Sequence, residues 1–438
     1  MSTMNKILPR VAGALLGVAA AATALSTELP AQSEFTHLGV ASCAASQCHG
    51  SAIPRDATGV LQNEYVTWTQ ADPHSKAYEV LSNEQSQRIA ARLGIGNARE
   101  ASECLGCHAD YVPAAQRGDK FQLADGVACE ACHGGAEQWL ASHYNSGSVT
   151  RADNLAAGMY PTNSAAARAE LCLSCHLGSE SKFATHRMMA AGHPRLAFEL
   201  DTFTELWRTL GRQPHFREDD EYRQRKEIPS HSFTWATGVV ADARLRLELI
   251  ASRQFDAAGI FPELALYDCH ACHRSMKTVQ WRPLPRHGNA GPGLPFINDG
   301  TFVISLALAS AIQPDLVDEL QAALRELHAS GAESVTSIRV AAAALHKVLG
   351  RLQQALTPAA LRGNEPQLLA AVLKIGAAGN YIDYASAEQA FMAVQMLALE
   401  IDDPALVAQL EALGNSLNDD ERYSPAQFAR LLEGLREP

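Results

Sequence analysis

Basic charge is scarce in this chain: 36 Lys and Arg stand against 48 Asp and Glu, a net charge of -12. Such a surface repels a phosphate backbone, which excludes nucleic-acid binding and makes a basic protein the natural electrostatic partner. Long apolar runs are missing too. The one sustained stretch, Val11 to Leu25, is shorter than the ~20 residues that a membrane-spanning helix needs. With Lys6 and Arg10 before it and Ala24 or Ala31 as the small residue at a cut, it reads as part of a signal peptide over residues 1–31. The mature chain is then expected in the periplasm or otherwise exported, soluble, with no stable membrane span. Nothing in the sequence lines up a separate nucleophile, base and orienting group, so any chemistry falls to the cysteines and histidines. Cysteine itself stops at Cys272.

Up to that point the cysteines are strictly patterned. Cys-x-x-Cys-His occurs at Cys104/Cys107/His108, Cys129/Cys132/His133, Cys172/Cys175/His176 and Cys269/Cys272/His273, and a stretched Cys-x4-Cys-His stands at Cys43/Cys48/His49. These five pairs use all ten cysteines. The composition alone predicts roughly 0.01 such units in a chain of this length. Two thiols followed by a histidine form the attachment signature of a c-type haem: the thiols make thioethers to the porphyrin and the histidine ligates the iron. A zinc ribbon does not require the histidine, a thioredoxin-type site needs a single pair, and disulfide frameworks belong to short secreted chains. About five covalent haem c groups are therefore expected.

A second axial histidine closes a haem iron and suits it to electron transfer, whereas its absence leaves the iron open to small molecules. After the five motif histidines, eleven of the sixteen remain. His74, His143, His186 and His193 are the first candidates, because each lies on or beside a predicted helix next to small residues that admit a flat ring. His37 and His231 come next. His270 sits inside its own attachment loop, and His328 and His346 read as surface or packing residues.

The expected fold is mainly α. Residues 32–285 form a pentahaem cytochrome c domain of short helices and loops wrapped around haems, with a helix after Asp72-Pro73 carrying His74 and running through Val80, a segment Glu137–His143 and a long helix over Ala236–Phe255. Residues 286–299 are a Pro/Gly-rich linker. Residues 300–438 form an all-α helical bundle, with helix starts at Thr357-Pro358, Asp403-Pro404, Ser386/Gln389 and Ser424-Pro425, and a core stripe Leu316, Leu320, Leu324, Leu327.

The order of motifs from about Ser42 to His176 resembles the tetrahaem cytochrome c-554 family, electron carriers that serve hydroxylamine oxidoreductase. The likeness is carried by DPHSKAY with His74, CLGCHAD at Cys104, DGVACEACHGGAEQW with His143 following, and CLSCH at Cys172. It implies that His74 and His143 are distal ligands. It also implies one five-coordinate haem, matching by motif order Cys104/Cys107/His108, for which His231 is a distant candidate sixth ligand. The stretched first motif, the fifth motif and the C-terminal bundle depart from that family. The function expected is electron transfer through covalently bound haems between redox partner proteins. The alternative is a multihaem oxidoreductase acting on a small nitrogen or sulfur species at one open haem.

An alkaline pyridine haemochrome assay against protein concentration should return about five haems per chain. A ratio of four would remove the stretched Cys43/Cys48 motif from the set.

Overall fold

The computed structural model describes residues 28–55, 60–145, 149–209, 228–257, 262–273, 284–287 and 293–435. Most of residues 1–31, where a signal peptide is expected, and most of residues 204–227 lie outside them. The described residues are mainly helical, with three isolated β-bridges and no extended sheet. The first part carries short helices: α1 (Glu64–Ala71), α2 (Glu84–Leu93), α3 (Ser102–His108), α4 (Cys129–His133), α5 (Leu140–His143), α6 (Arg151–Ala156), α7 (Ala165–His176), α8 (His186–Ala190) and α9 (Leu200–Thr209). The 21-residue α10 (His231–Ala251) follows. Then come α11 (Gly300–Ile312), α12 (Val317–Ser330), α13 (Val335–Ala355), α14 (Pro358–Leu361), α15 (Glu365–Ala377), α16 (Tyr384–Glu400), α17 (Pro404–Asn415) and α18 (Pro425–Gly434). No helix is long and apolar enough to cross a membrane among the described residues.

Local chemistry starts three of the four predicted bundle helices where the sequence places them. Thr357, Asp403 and Ser424 each accept a backbone N–H three residues on, with proline at the first helical position. Ser386 does not start α16. Asp383 does, accepting from the Ser386 N–H at 2.7 Å, because Asp383 is still extended while Ser386 is already helical and returns its own hydroxyl to the Asp383 carbonyl. The expected helix through Val80 is replaced by two short 3-10 turns, Pro73–Lys76 and Glu79–Ser82. There the His74 carbonyl accepts from both Ala77 and Val127, so the backbone is tied sideways to the segment after Gly126. Gly126 has φ +75°, and a Cβ on it would stand 2.6 Å from that same carbonyl, so only glycine lets the two segments approach.

Packing differs sharply between the two ends of the chain. Residues 43–133 hold small apolar clusters, such as Leu81, Ala90 and Leu105. A much larger cluster unites α7, α10 and the helices beyond residue 300, with Trp235, Leu247, Phe302, Leu324 and Leu397 all buried in it. The stripe Leu316, Leu320, Leu324, Leu327 is buried as expected. α10 packs along α13, α7, α11 and α9, so this core takes in residues from both sides of 286–299. Within that stretch Arg286 is itself buried and donates to both oxygens of Asp299.

Leu247 is 1% exposed, and Leu247→Ala should cost about 2–5 kcal/mol by deleting buried methyls and leaving a void. Thermal unfolding followed by far-UV circular dichroism should shift down accordingly, while Val340→Thr on the opposite, solvent side of the bundle should stay within about 0.5 kcal/mol of the parent.

Candidate functional site

The attachment motifs sit on short helical turns that bring two thiols and an imidazole to one side. α3 ends on His108, α4 spans Cys129–His133 and α7 ends on His176, while Cys269–Ala271 is a single 3-10 turn. In the last of these the His273 N–H donates to the Cys269 carbonyl at 2.8 Å. The stretched motif remakes that bond: the His49 N–H donates to the Cys43 carbonyl at 3.1 Å, and a tight Ala45–Cys48 turn absorbs the two extra residues. None of the ten cysteines is in a disulfide. The thiols of Cys43 and Cys129 lie near enough to influence one another's ionisation, as do those of Cys107 and Cys175, so cysteine pairs far apart in sequence adjoin in space. Lys182 Nζ lies 2.9 Å from the Cys175 sulfur and 3.1 Å from the Gly106 carbonyl, tying the second pair together.

Four motif histidines each face a second histidine. Ring centroids are 6.1 Å apart for His49 and His143, 6.5 Å for His108 and His193, 6.0 Å for His176 and His74, and 6.1 Å for His273 and His186. A metal-bound imidazole nitrogen lies about 2.0 Å from the metal, so two axial imidazoles have centroids roughly 6.3 Å apart. All four separations match one metal between two rings. Each ring can rotate about its own bond to the metal, so interplanar angles from 16° to 88° are equally compatible. His193, and not His231, stands across from His108.

Four of these eight histidines are hydrogen-bonded at Nδ1. Nδ1 is engaged by Glu64 on His49, Asp72 on His74, the Ala77 carbonyl on His108 and the Pro194 carbonyl on His193, at 2.8–2.9 Å. An imidazole held this way presents Nε2 to a metal. The Glu64 hydrogen bond raises His49 above its ordinary pKa, and Asp72 does the same for His74. Burial lowers His108, and burial together with the neighbouring His74 lowers His176.

His37 follows the same pattern. It is fully buried, Asp110 holds its Nδ1 at 2.9 Å, and its Nε2 has no hydrogen-bond partner. Burial, the largest influence, pulls its pKa down, but the Asp110 hydrogen bond and the charges of Asp110 and Glu130 carry the net shift upward. Its ring packs on the turn after His133, where a Cβ at Gly135 would come 2.9 Å from Cδ2. His231 begins α10, half exposed, with Nδ1 on Asp201 at 3.1 Å. His328 and His346 differ: each spends Nε2 on a carboxylate, Asp299 or Glu248. His287, Asp299 and His328 bring three ligand-type atoms within 4.8 Å of one another, but Arg286 already donates to both Asp299 oxygens, so the group closes as a buried charge network.

The acidic partners Glu64, Asp110 and Glu130 are absent from the sequence-derived site. Glu130 is buried inside its own Cys-x-x-Cys and accepts the N–H groups of Leu38, Gly39 and Ala136 at 2.6–2.7 Å, which holds the N-terminal segment, and with it His37, against the third motif. Their one sequence signal is position: Asp110 lies two residues after a motif histidine and Glu130 between two motif cysteines.

This donor set, paired thiols with facing imidazoles, fits covalent haem, and the chain is a c-type cytochrome whose chemistry is electron transfer. A family profile described as cytochrome c554 and c-prime matches residues 42–134. The chain resembles that family there, with haem c as cofactor and a mainly α fold. No curated protein and no solved structure matches it.

The His231–Asp201 pair predicts a pH dependence. Asp201 raises His231 to about 9, against burial. A raised folded-state pKa stabilises fully below the unfolded value near 6.5 and is lost as pH climbs through about 9. The thermal midpoint of the parent should therefore fall more between pH 7 and pH 10 than that of Asp201→Asn, modestly because the imidazole is half exposed. Equal slopes would mean that the His231 imidazole does not titrate there.

Proposed function

We propose that this chain is an exported, periplasmic multihaem electron carrier with five haems, each closed by two histidines. The observation that supports this most directly is the set of four facing pairs, each joining a motif histidine to a histidine from another segment at the spacing of one intervening metal. For the Cys129/Cys132/His133 site the ligand we assign is His37, on the strength of its buried, unpartnered Nε2 and its fixed Nδ1.

Haem c, when bound, supplies a one-electron iron couple. The residues of the chain do the rest. Imidazoles from α8, the 3-10 turn at Pro73–Lys76 and the end of α5 would ligate the iron opposite the motif histidines and exclude small molecules. Glu64, Asp72 and Asp110 hold the rings and, as carboxylates beside the ligands, would favour the oxidised state of a bound haem. The neighbouring thiols of Cys43 and Cys129, and of Cys107 and Cys175, would hold their haems close enough to exchange electrons. The acidic surface favours a basic donor or acceptor protein.

Electron paramagnetic resonance of the oxidised protein should show low-spin iron throughout, and carbon monoxide should leave the reduced spectrum unchanged. A high-spin signal worth one haem in five, with carbon monoxide binding in the same proportion, would replace the carrier with the open-haem oxidoreductase.

A further inference from the structure

Carboxylates stand beside several histidines in the cysteine-bearing part of the chain: Glu64 on His49, Asp72 on His74 and Asp110 on His37. The junction between Cys104/Cys107/His108 and Cys172/Cys175/His176 departs from that pattern. There His108 and His193 are held by the carbonyls of Ala77 and Pro194, which carry no net charge. A cation stands between the two motifs instead. Lys182 Nζ donates to the Gly106 carbonyl, inside one Cys-x-x-Cys, at 3.1 Å and to the Cys175 sulfur of the other at 2.9 Å. Its charge reaches the Cys107 thiol as well.

The local chain keeps Lys182 in place. α7 ends on His176, and the N–H groups of Leu177 and Gly178 both return to the Leu173 carbonyl, at 2.9 and 2.8 Å. Gly178 then turns at φ +122°, where a Cβ would stand 2.6 Å from the Phe183 ring. Ser179 and Lys182 exchange backbone hydrogen bonds across the turn, and Gln254 braces it by donating to the Glu180 carbonyl at 2.7 Å. Phe183 packs against the large core cluster, so the half-buried lysine leaves a fixed backbone. An ammonium has three donors, and the Gly106 carbonyl still holds one after attachment turns the Cys175 thiol into a neutral thioether.

We propose that Lys182 is a tuning residue shared by two haems: its ammonium, held between the Cys104/Cys107 and Cys172/Cys175 sites, raises the reduction potentials of both. A cation near a haem disfavours the ferric state, and it does so more strongly where protein replaces water around it. Electrons are thereby favoured on this pair. Asp72, on the His74 that faces His176, opposes the effect at one of the two, so they need not share one potential. The inference rests on the reading of both motifs as haem attachment sites, and it goes further by giving one side chain a hold over two haems.

Full-length holoprotein should be titrated potentiometrically as parent, Lys182→Gln, Lys182→Met and Lys182→Arg, with intact mass counting the haems. In the two neutral variants, two of the five haem components should move to lower potential and three should stay. Lys182→Arg, which keeps the charge, should titrate like the parent. A neutral variant with five haems and fewer than two shifted components would overturn the proposal. Equal shifts in Lys182→Arg would overturn it as well, since they would assign the effect to packing. So would loss of haem from both neutral variants, which would make Lys182 a scaffold for attachment. A parent with fewer than five haems and an alkylatable Cys107 or Cys175 would instead strike the haem pair itself, and the proposal with it.

Discussion

A hydrogen bond at one nitrogen of an imidazole fixes its tautomer and turns the other nitrogen toward a metal, and several histidines in the cysteine-bearing part of this chain are held in this way. Glu64, Asp72, Asp110 and the carbonyls of Ala77 and Pro194 each take one Nδ1. Most of these partners sit on different elements from the rings they orient, so short helices and tight turns must be locked against one another. Gly126 under the His74 carbonyl and Glu130 under Leu38 and Gly39 are two such locks. Both lie in or beside the third attachment motif, which is why that stretch ties together the N-terminus, the His74 turn and its own cysteines.

The distribution of apolar side chains follows from the same demand. Segments that surround a large apolar cofactor need few core residues of their own, and residues 43–133 have small clusters only. The cluster that does resemble an ordinary globular core begins at α7 and continues through α10 into α16. α7 ends in His176 and α10 begins with His231, so the redox part and the bundle share helices and not merely a surface. Arg286 and Asp299, both buried, pin the chain between the two. Breaking such a pair from one side would leave an uncompensated buried charge, so this stretch is under strong constraint despite its proline and glycine content.

Electrostatics separates the histidines by role. His37, His49, His74, His108 and His193 are bound at Nδ1, whereas His328 and His346 commit Nε2 to Asp299 and Glu248. The same residue type thereby serves as prospective ligand in one half of the chain and as packing in the other. Composition cannot distinguish them, since both kinds lie in helices beside small residues.

Attachment chemistry was legible in the sequence because it depends on covalent spacing: two thiols and a following imidazole on one helical turn are a local fact. Helix starts at Thr357, Asp403 and Ser424, and the buried stripe from Leu316 to Leu327, were legible for the same reason, since capping and periodicity act within a few residues. Ser386 shows the limit, because Asp383 three residues earlier offers an equally good cap and only the backbone conformation chooses between them. Which histidine faces which was not legible at all. His49 and His143 are 94 positions apart and His74 and His176 are 102 apart, so their meeting depends on how several short helices dock. Asp110 and Glu130 became visible only there, because a buried carboxylate has meaning through the imidazole or amide it touches, and that contact is made by tertiary packing alone.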